Sequence, residues 1–411
     1  MTKLRLTFLY VILSATVLQA QHTNWNRFRG PNGSGVVTDN AFSMPFDTKR
    51  AVWRTETLGH GNSSPVIFDD RLYITAADAG QGLRYVHCID LATGNQIWSE
   101  SVKFEQFKSN KRNGFASSTP AVDKQHVYVL WQSPEDTSLI AYEHNGDISW
   151  QRNLGPFSAG PGAATSPIVD DGVVYLCLDQ EKYDSSLLAV DGNTGATIWN
   201  TTRETQRTGY STPCIFPHSK GKQVVFSHSY EGVVGVDTQS GKILWQEIPF
   251  GDHSQRAIGS PVTDGKLIAA ASGFTTGVKN LTVLSLGSEP TAIKELARLT
   301  RNVPHCPTPI ILDDHLYLCT DKGILSCVNA QTGDSVWAIR IGGEYYSSPI
   351  CVNRTIICCD RDGVVRYVPA SPAKPTVKTL ETELDITATP AIANGMILFR
   401  AGQHRRRIQI S

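Results

Sequence analysis

The sequence is poor in methionine, with three residues in 411, and has no excess of either charge, with 38 basic against 38 acidic side chains. A chain without a basic surplus cannot neutralise many phosphates, which excludes a general nucleic-acid binder. No Cys-x-x-Cys-His is present, so covalent c-type haem is excluded. Also missing are His-Glu-x-x-His, a phosphate-cradling glycine loop and a Gly-x-Ser-x-Gly nucleophile elbow. What is plentiful is 34 glycines and 21 prolines, the composition of many turns between short strands.

The N-terminus has the layout of a secretory signal. Lys3 and Arg5 form a basic start, Leu6 to Leu18 is apolar, and Leu18-Gln19-Ala20 places a small residue before a cleavage point. Residues 1–20 are therefore expected to be removed, residues 21–50 to form a lead-in, and the protein to be periplasmic or secreted, with no membrane span left. The alternative is an uncleaved anchor, although the apolar run is short for a span. Nine cysteines is an odd number for an exported chain. Most sit in strand-like runs, as Cys177, Cys319 and Cys351 do, where a small buried hydrophobe explains them. Cys319 and Cys327 flank an expected hairpin, but spacing alone does not establish a bond.

A Ser/Thr-Pro step recurs eight times, at Ser64-Pro65, Thr119-Pro120, Ser166-Pro167, Thr212-Pro213, Ser260-Pro261, Thr308-Pro309, Ser348-Pro349 and Thr389-Pro390. Successive prolines are 55, 47, 46, 48, 48, 40 and 41 residues apart, the length of four short strands with their turns. After each comes a short apolar strand, then a turn such as Asp171-Gly172, Asp313-Asp314 or Asn394-Gly395, then a β-branched and aromatic strand. A third strand follows, and in five repeats a turn glycine with a Trp four residues later: Gly94/Trp98, Gly146/Trp150, Gly195/Trp199, Gly241/Trp245 and Gly333/Trp337. A ring recurring at one position of the outer strand is read as packing between neighbouring units. The last repeat stops after RRIQIS without a fourth strand, and Ala51 to Glu56, carrying Trp53, is the spare strand expected to complete it.

The strings CIDLATGNQIW, AVDGNTGATIW, GVDTQSGKILW and SCVNAQTGDSVW resemble the tryptophan-docking repeat of the pyrroloquinoline-quinone-like propellers. The opening WNRFRGPNGSGV resembles the segment that precedes such propellers in many exported bacterial proteins. The resemblance implies an all-β, eight-bladed β-propeller over residues 51–411, four antiparallel strands per blade, closed by the N-terminal strand in the last blade. Two branches of that family differ in chemistry. One holds quinoprotein dehydrogenases, which use a quinone and calcium in the central funnel. The other includes the propeller of the bacterial outer-membrane protein assembly machine, a scaffold. Fold alone does not choose, but the dehydrogenases are usually longer.

A quinone enzyme needs oxygen ligands for calcium, a carboxylate base and cations for the quinone. Cys358-Cys359 looks like the adjacent cysteine pair of those enzymes, yet it lies in a second strand, and the carboxylates fall mainly at turns. No catalytic residue, metal site or cofactor is expected. Pyrroloquinoline quinone with calcium belongs to the alternative, a dehydrogenase of an alcohol or sugar. The loops entering each repeat carry aromatic and cationic residues suited to binding. Phe115, Arg207, Tyr210, Arg256, His305, Tyr345 and Tyr346 are taken as the candidate rim, and Trp53, Trp98, Trp150, Trp199, Trp245 and Trp337 as structural docking residues. The expected function is a monomeric, non-catalytic binding or assembly scaffold whose partners are envelope or extracellular proteins or glycans.

Overall fold

In the computed structural model the described residues are 24–46, 51–110, 113–205, 207–228, 230–250, 256–273, 278–401 and 408–410. The expected signal over residues 1–20 lies outside them. The strands of the described residues form eight sheets, seven of four strands and one of five. The first sheet runs Val66–Phe68, Arg71–Asp78, Leu83–Asp90, Gln96–Lys103, each strand antiparallel to the next. The later repeats follow the same order.

Local chemistry explains each step. Proline has no N–H to donate and so is tolerated at the entrance of an edge strand, and every Ser/Thr-Pro step sits just ahead of the short first strand. The hairpin that follows needs a left-handed backbone. Asp313 and Asp314 have φ of 49° and 57°, and Asn394 and Gly395 of 52° and 78°, the paired positive values of a type I′ turn. Six sheets then carry a bulge one residue before the tryptophan position of the outer strand, as between Cys88/Ile89 and their partners Trp98/Gln96. The residue facing the indole on the third strand is small: Cys88, Ala141, Ala189, Gly235 and Cys327. Beyond it stands a tyrosine in four sheets, with Tyr73–Trp98, Tyr128–Trp150, Tyr175–Trp199 and Tyr317–Trp337 centroids 6.0, 6.1, 5.9 and 6.1 Å apart.

The indoles link one sheet to the next. Trp98 Nε1 donates to the His144 carbonyl at 2.9 Å, Trp150 to Gly192 at 2.8 Å, Trp199 to Thr238 at 2.9 Å and Trp337 to Ser371 at 3.0 Å. Trp245 differs. Its N–H stays within its own sheet, on Gln223 Oε1 at 2.6 Å, although its ring still packs with Ile268 and Leu284 of the next sheet. Trp53 lies in Trp53–Thr55, which pairs antiparallel with Ile408–Ile410 of the last repeat. Its indole donates to the Leu91 carbonyl of the first sheet at 2.8 Å, over Gly94 (φ 75°), where a Cβ would come within 2.5 Å of the ring.

The expected lead-in is part of the folded unit, running across the innermost strands. Trp25 exchanges two backbone hydrogen bonds with Ile67, each 2.9 Å. Asn26 pairs with Val122, and Asn32 brackets the Ile215 backbone, accepting its N–H at 2.8 Å and donating to its carbonyl at 2.7 Å. Val36–Val37 adds a parallel fifth strand to Ile350–Val352. Two arginines of this segment are buried. Arg27 Nη2 donates to the Pro213 carbonyl. Arg29 forks, with Nη1 on Pro309 O at 3.0 Å and Nη2 on Pro349 O and Ser34 O, both 3.1 Å. Burial pulls the Arg29 guanidinium down to about 9 and Arg27 to about 10. Trp25, Phe42 and Phe46 close this region against the first, seventh and last sheets.

Two outcomes follow from this packing. Arg29→Ala orphans three buried carbonyls and is expected to cost about 3 kcal/mol of stability, with Arg29→Lys only partly restoring it because an ammonium cannot fork. Urea unfolding measures both, and an unshifted midpoint for Arg29→Ala would show the segment to be passive. His87 is fully buried and neutral. Nε2 donates to Leu58 O at 2.9 Å while Nδ1 accepts from Ser99 at 3.0 Å, and burial, with Arg400 adding to it, lowers the imidazole to about 4. The unfolded chain takes up this proton near pH 6.5, so the native state loses on the order of 3 kcal/mol as pH falls from 7 to 4. His87→Asn is expected to flatten that part of the stability–pH curve, as followed by thermal melts at pH 7, 5.5 and 4.

Candidate ligand-binding funnel

The inner ends of the sheets are stitched by one repeated bond. In six of the eight steps the backbone N–H of the Ser/Thr donates to the hydroxyl of the next. Ser64 binds Thr119 Oγ1 at 3.0 Å, Thr119 binds Ser166 Oγ at 2.9 Å, and Thr212 binds Ser260 at 2.9 Å. Ser260, Thr308 and Ser348 continue this to Thr308, Ser348 and Thr389 at 3.0, 3.0 and 2.9 Å. Between the third and fourth sheets the link is instead Thr165 Oγ1 to Ser211 O at 3.1 Å.

These steps surround a cavity of about 430 Å3, and the hydroxyl residues of all eight line it. Phe28 of the N-terminal segment lines it too, half-buried between the buried Arg27 and Arg29. Asn62, Asn110, Asn113, Ile258 and Cys306 add to the wall. Among the candidate rim residues, Tyr210, Arg256, His305 and Tyr346 are brought together on this cavity. The other three are not. Tyr345 is fully buried, its hydroxyl accepting from Arg366 Nη1 at 2.8 Å, while Tyr346 next to it lines the cavity. Phe115 packs between Phe104 and Phe107, each centroid at 5.0 Å, beside the Arg84 guanidinium, which lies 4.7 Å from the Phe104 centroid. Arg207 contributes its carbonyl, which accepts from His228 Nε2 at 2.7 Å.

Buried charge holds the wall in place. Behind the Tyr210 loop Arg203 grips Asp179 with Nε and Nη2, both 2.7 Å, and Gly209 sits so close that a Cβ would meet Asp179 Oδ2 at 2.8 Å. Arg256 is tied to Glu181, and its Nε makes no hydrogen bond among the described residues. Tyr210 lies beside Arg256, and burial raises its phenol well above the ordinary value. Asp321 takes the N–H groups of His305 at 2.8 Å and Cys306 at 3.1 Å. Burial acts to raise that carboxyl, but those N–H groups and Lys279 outweigh it and leave it below its usual range. The carboxylates thus face into the walls, and no Asp or Glu among the described residues lines the cavity.

The family model described as outer membrane protein assembly factor BamB matches residues 84–338. The chain belongs to this family. The BamB of Yersinia pestis is 22% identical over 329 residues, 77% of each chain. Three solved structures share the fold of this BamB-family chain. The crystal structure of BamB from Moraxella catarrhalis has a TM-score of 0.63 at 15% identity, covering 88% of this chain and 96% of that one. A europium-containing methanol dehydrogenase gives 0.65 at 12% identity, with 92% and 89% covered. The quinohemoprotein alcohol dehydrogenase of Comamonas testosteroni gives 0.68 at 13% identity, with 94% and 80% covered. The fold is thus that of the BamB and quinoprotein β-propellers, and it is shared by an assembly factor and by dehydrogenases.

The residues present do not suit a calcium-bound quinone. No cluster of three or more His, Cys, Asp or Glu that could hold a metal occurs among the described residues, and the cavity offers no carboxylate base. Cys358 and Cys359 are buried in Thr355–Cys359, away from the lining. No helix among the described residues is long and apolar enough to cross a membrane.

The eight hydroxyls, Asn62, Asn113 and Phe28 were not expected as lining residues. Their signal was the invariable Ser or Thr before the repeated proline. None of the nine cysteines is in a disulfide, eight of them are buried, and Cys319 faces Leu325 while Cys327 faces Tyr317, so the hairpin holds no bond between them. Cys306 alone is half-exposed. A maleimide is therefore expected to modify one thiol per folded chain and none in Cys306→Ser, as read by intact mass. Labelling of two or more in the native protein would mean that the wall around the cavity opens.

Proposed function

We propose that this chain is an exported, non-catalytic binding scaffold, a closed eight-bladed propeller that receives an envelope or extracellular partner, protein or glycan, at its funnel mouth. The observation that carries this reading is the cavity itself, which gathers hydroxyls, aromatic rings and one cation and has no lining carboxylate. Such a lining can hold a ligand and offers no carboxylate to take a proton from one.

Closure is supported by Trp53, which shares a sheet with the last repeat and gives its indole N–H to the first sheet. Arg400 of the last repeat also reaches the Ser63 carbonyl at 2.9 Å. The domain is then residues 51–411 with the segment from residue 24 packed within it. The BamB match supports an envelope location and a role as an interaction platform. The rim on this reading is Tyr210, Arg256, His305 and Tyr346, with Phe115, Arg207 and Tyr345 supporting it from behind.

Purified protein mixed with pyrroloquinoline quinone and calcium is expected to show no stoichiometric quinone complex in its absorption spectrum and no dye-linked alcohol oxidation. In parallel, Tyr210→Ala/Tyr346→Ala should recover at least about tenfold less partner from an envelope fraction than the unaltered chain. Quinone-dependent turnover would overturn the scaffold reading in favour of the dehydrogenase.

A further inference from the structure

The hydroxyls of the eight steps are all more than nine-tenths buried, yet they line an open cup. Six of them accept a backbone N–H from the neighbouring step, and none of the eight donates its own hydrogen to any group among the described residues. Ser64 Oγ and Thr212 Oγ1 make no bond at all there. All eight hydroxyls thus keep an O–H hydrogen to give, and these donors surround one space. Arg256 Nε adds another unused donor. A site rich in donors, with every nearby carboxylate turned away, recognises an acceptor, and a negatively charged one gains most.

The rest of the lining narrows the class. Phe28, Ile258 and the rings of Tyr210 and Tyr346 give the cup an apolar side that a bare inorganic anion would leave unused. At about 430 Å3 the space admits one or two residues, not a secondary-structure element. We propose that the cup is a carboxylate receptor, and that its ligand is the C-terminal carboxylate of a partner polypeptide, with the last side chain laid on Phe28. A free small acid has the same chemistry. The chain terminus is favoured because it joins this group to a larger surface, and in that respect the inference rests on the scaffold reading above.

The test uses the full chain and a fluorescein-labelled Gly-Ser-Gly-Leu peptide, as free acid and as C-terminal amide, in a fluorescence polarisation titration. The acid is expected to bind, and the amide to bind at least about tenfold more weakly. Ser64→Ala/Thr212→Val removes two hydroxyls that bond to nothing in the protein, so its melting temperature should not move while acid binding falls by about tenfold. Equal binding of acid and amide, no binding of either, or an unaffected double variant overturns the carboxylate assignment. If 4-methylpentanoate competes at the peptide's own affinity, the cup takes free acids and the chain-terminus assignment falls. Failure here is separable from failure of the scaffold reading. A double variant that still recovers its envelope partner leaves that reading intact, whereas an unaltered chain that recovers none removes it whatever the peptide does.

Discussion

Everything in this architecture depends on a backbone N–H in one repeat reaching a side-chain oxygen in the next. The residue before a proline is held extended, so its own N–H points sideways out of the first strand rather than into a helix or turn. In an edge strand that group would be unpaired. Placing Ser or Thr at the same position of the following repeat supplies the acceptor, six times over, at 2.9–3.0 Å. The same residue pair therefore sets the strand entry, the contact between sheets and the polarity of the cavity wall. Alanine at one of those six accepting positions would keep the repeat's own hairpins but leave its neighbour's N–H without that acceptor.

Inner strands brought together in this way create a second problem, because their outer faces point at one another with carbonyls and amides still to be satisfied. The WNRFRGPNGSGV segment answers it. Trp25, Asn26 and Asn32 pair with the backbones of Ile67, Val122 and Ile215, and Arg27 and Arg29 take the carbonyls of three of the repeated prolines, Pro213, Pro309 and Pro349. Burying two guanidinium groups is costly, and the lowered values of both arginines record that cost. It is offset by donors that can reach carbonyls from different repeats at once, which a planar fork does and an ammonium does not. Phe28, lying between them, becomes the only part of that stretch presented to the cavity.

Much of this was legible from residue patterns. The turn at Asp313-Asp314, the tryptophan in the outer strand and the sheet partnership of Trp53 all rest on local rules, and each is where those rules put it. What was not legible depends on parity or convergence. Tyr345 and Tyr346 are adjacent aromatic residues in the same loop, and only the assembled fold decides which is swallowed. Trp245 carries the same sequence signature as Trp199, yet its N–H goes to Gln223 of its own sheet, a partner the signature does not name. The hydroxyl ring is spread over eight distant positions whose common destination is visible only when the sheets are assembled. The lead-in read as a connector because its apolar and cationic residues have no strand period; they match the spacing of other strands, not their own.

The relatives in this fold include both an assembly factor and alcohol dehydrogenases, so the sheets themselves cannot carry the distinction. The side chains around the funnel have to be read one by one. In this chain Asp179 is held by Arg203, Glu181 by Arg256, Asp321 by two backbone N–H groups and Asp360 by Arg366 at 2.6 Å. Each carboxylate near the funnel is spent on holding a loop or strand end, and an acceptor so engaged is poorly placed to take a substrate proton. The groups left facing the space are hydroxyls, amides and rings, which discriminate by fit and hydrogen bonding. The same pairs stiffen the mouth, and a wall stiffened in this way presents its donors without having to reorganise when a ligand arrives.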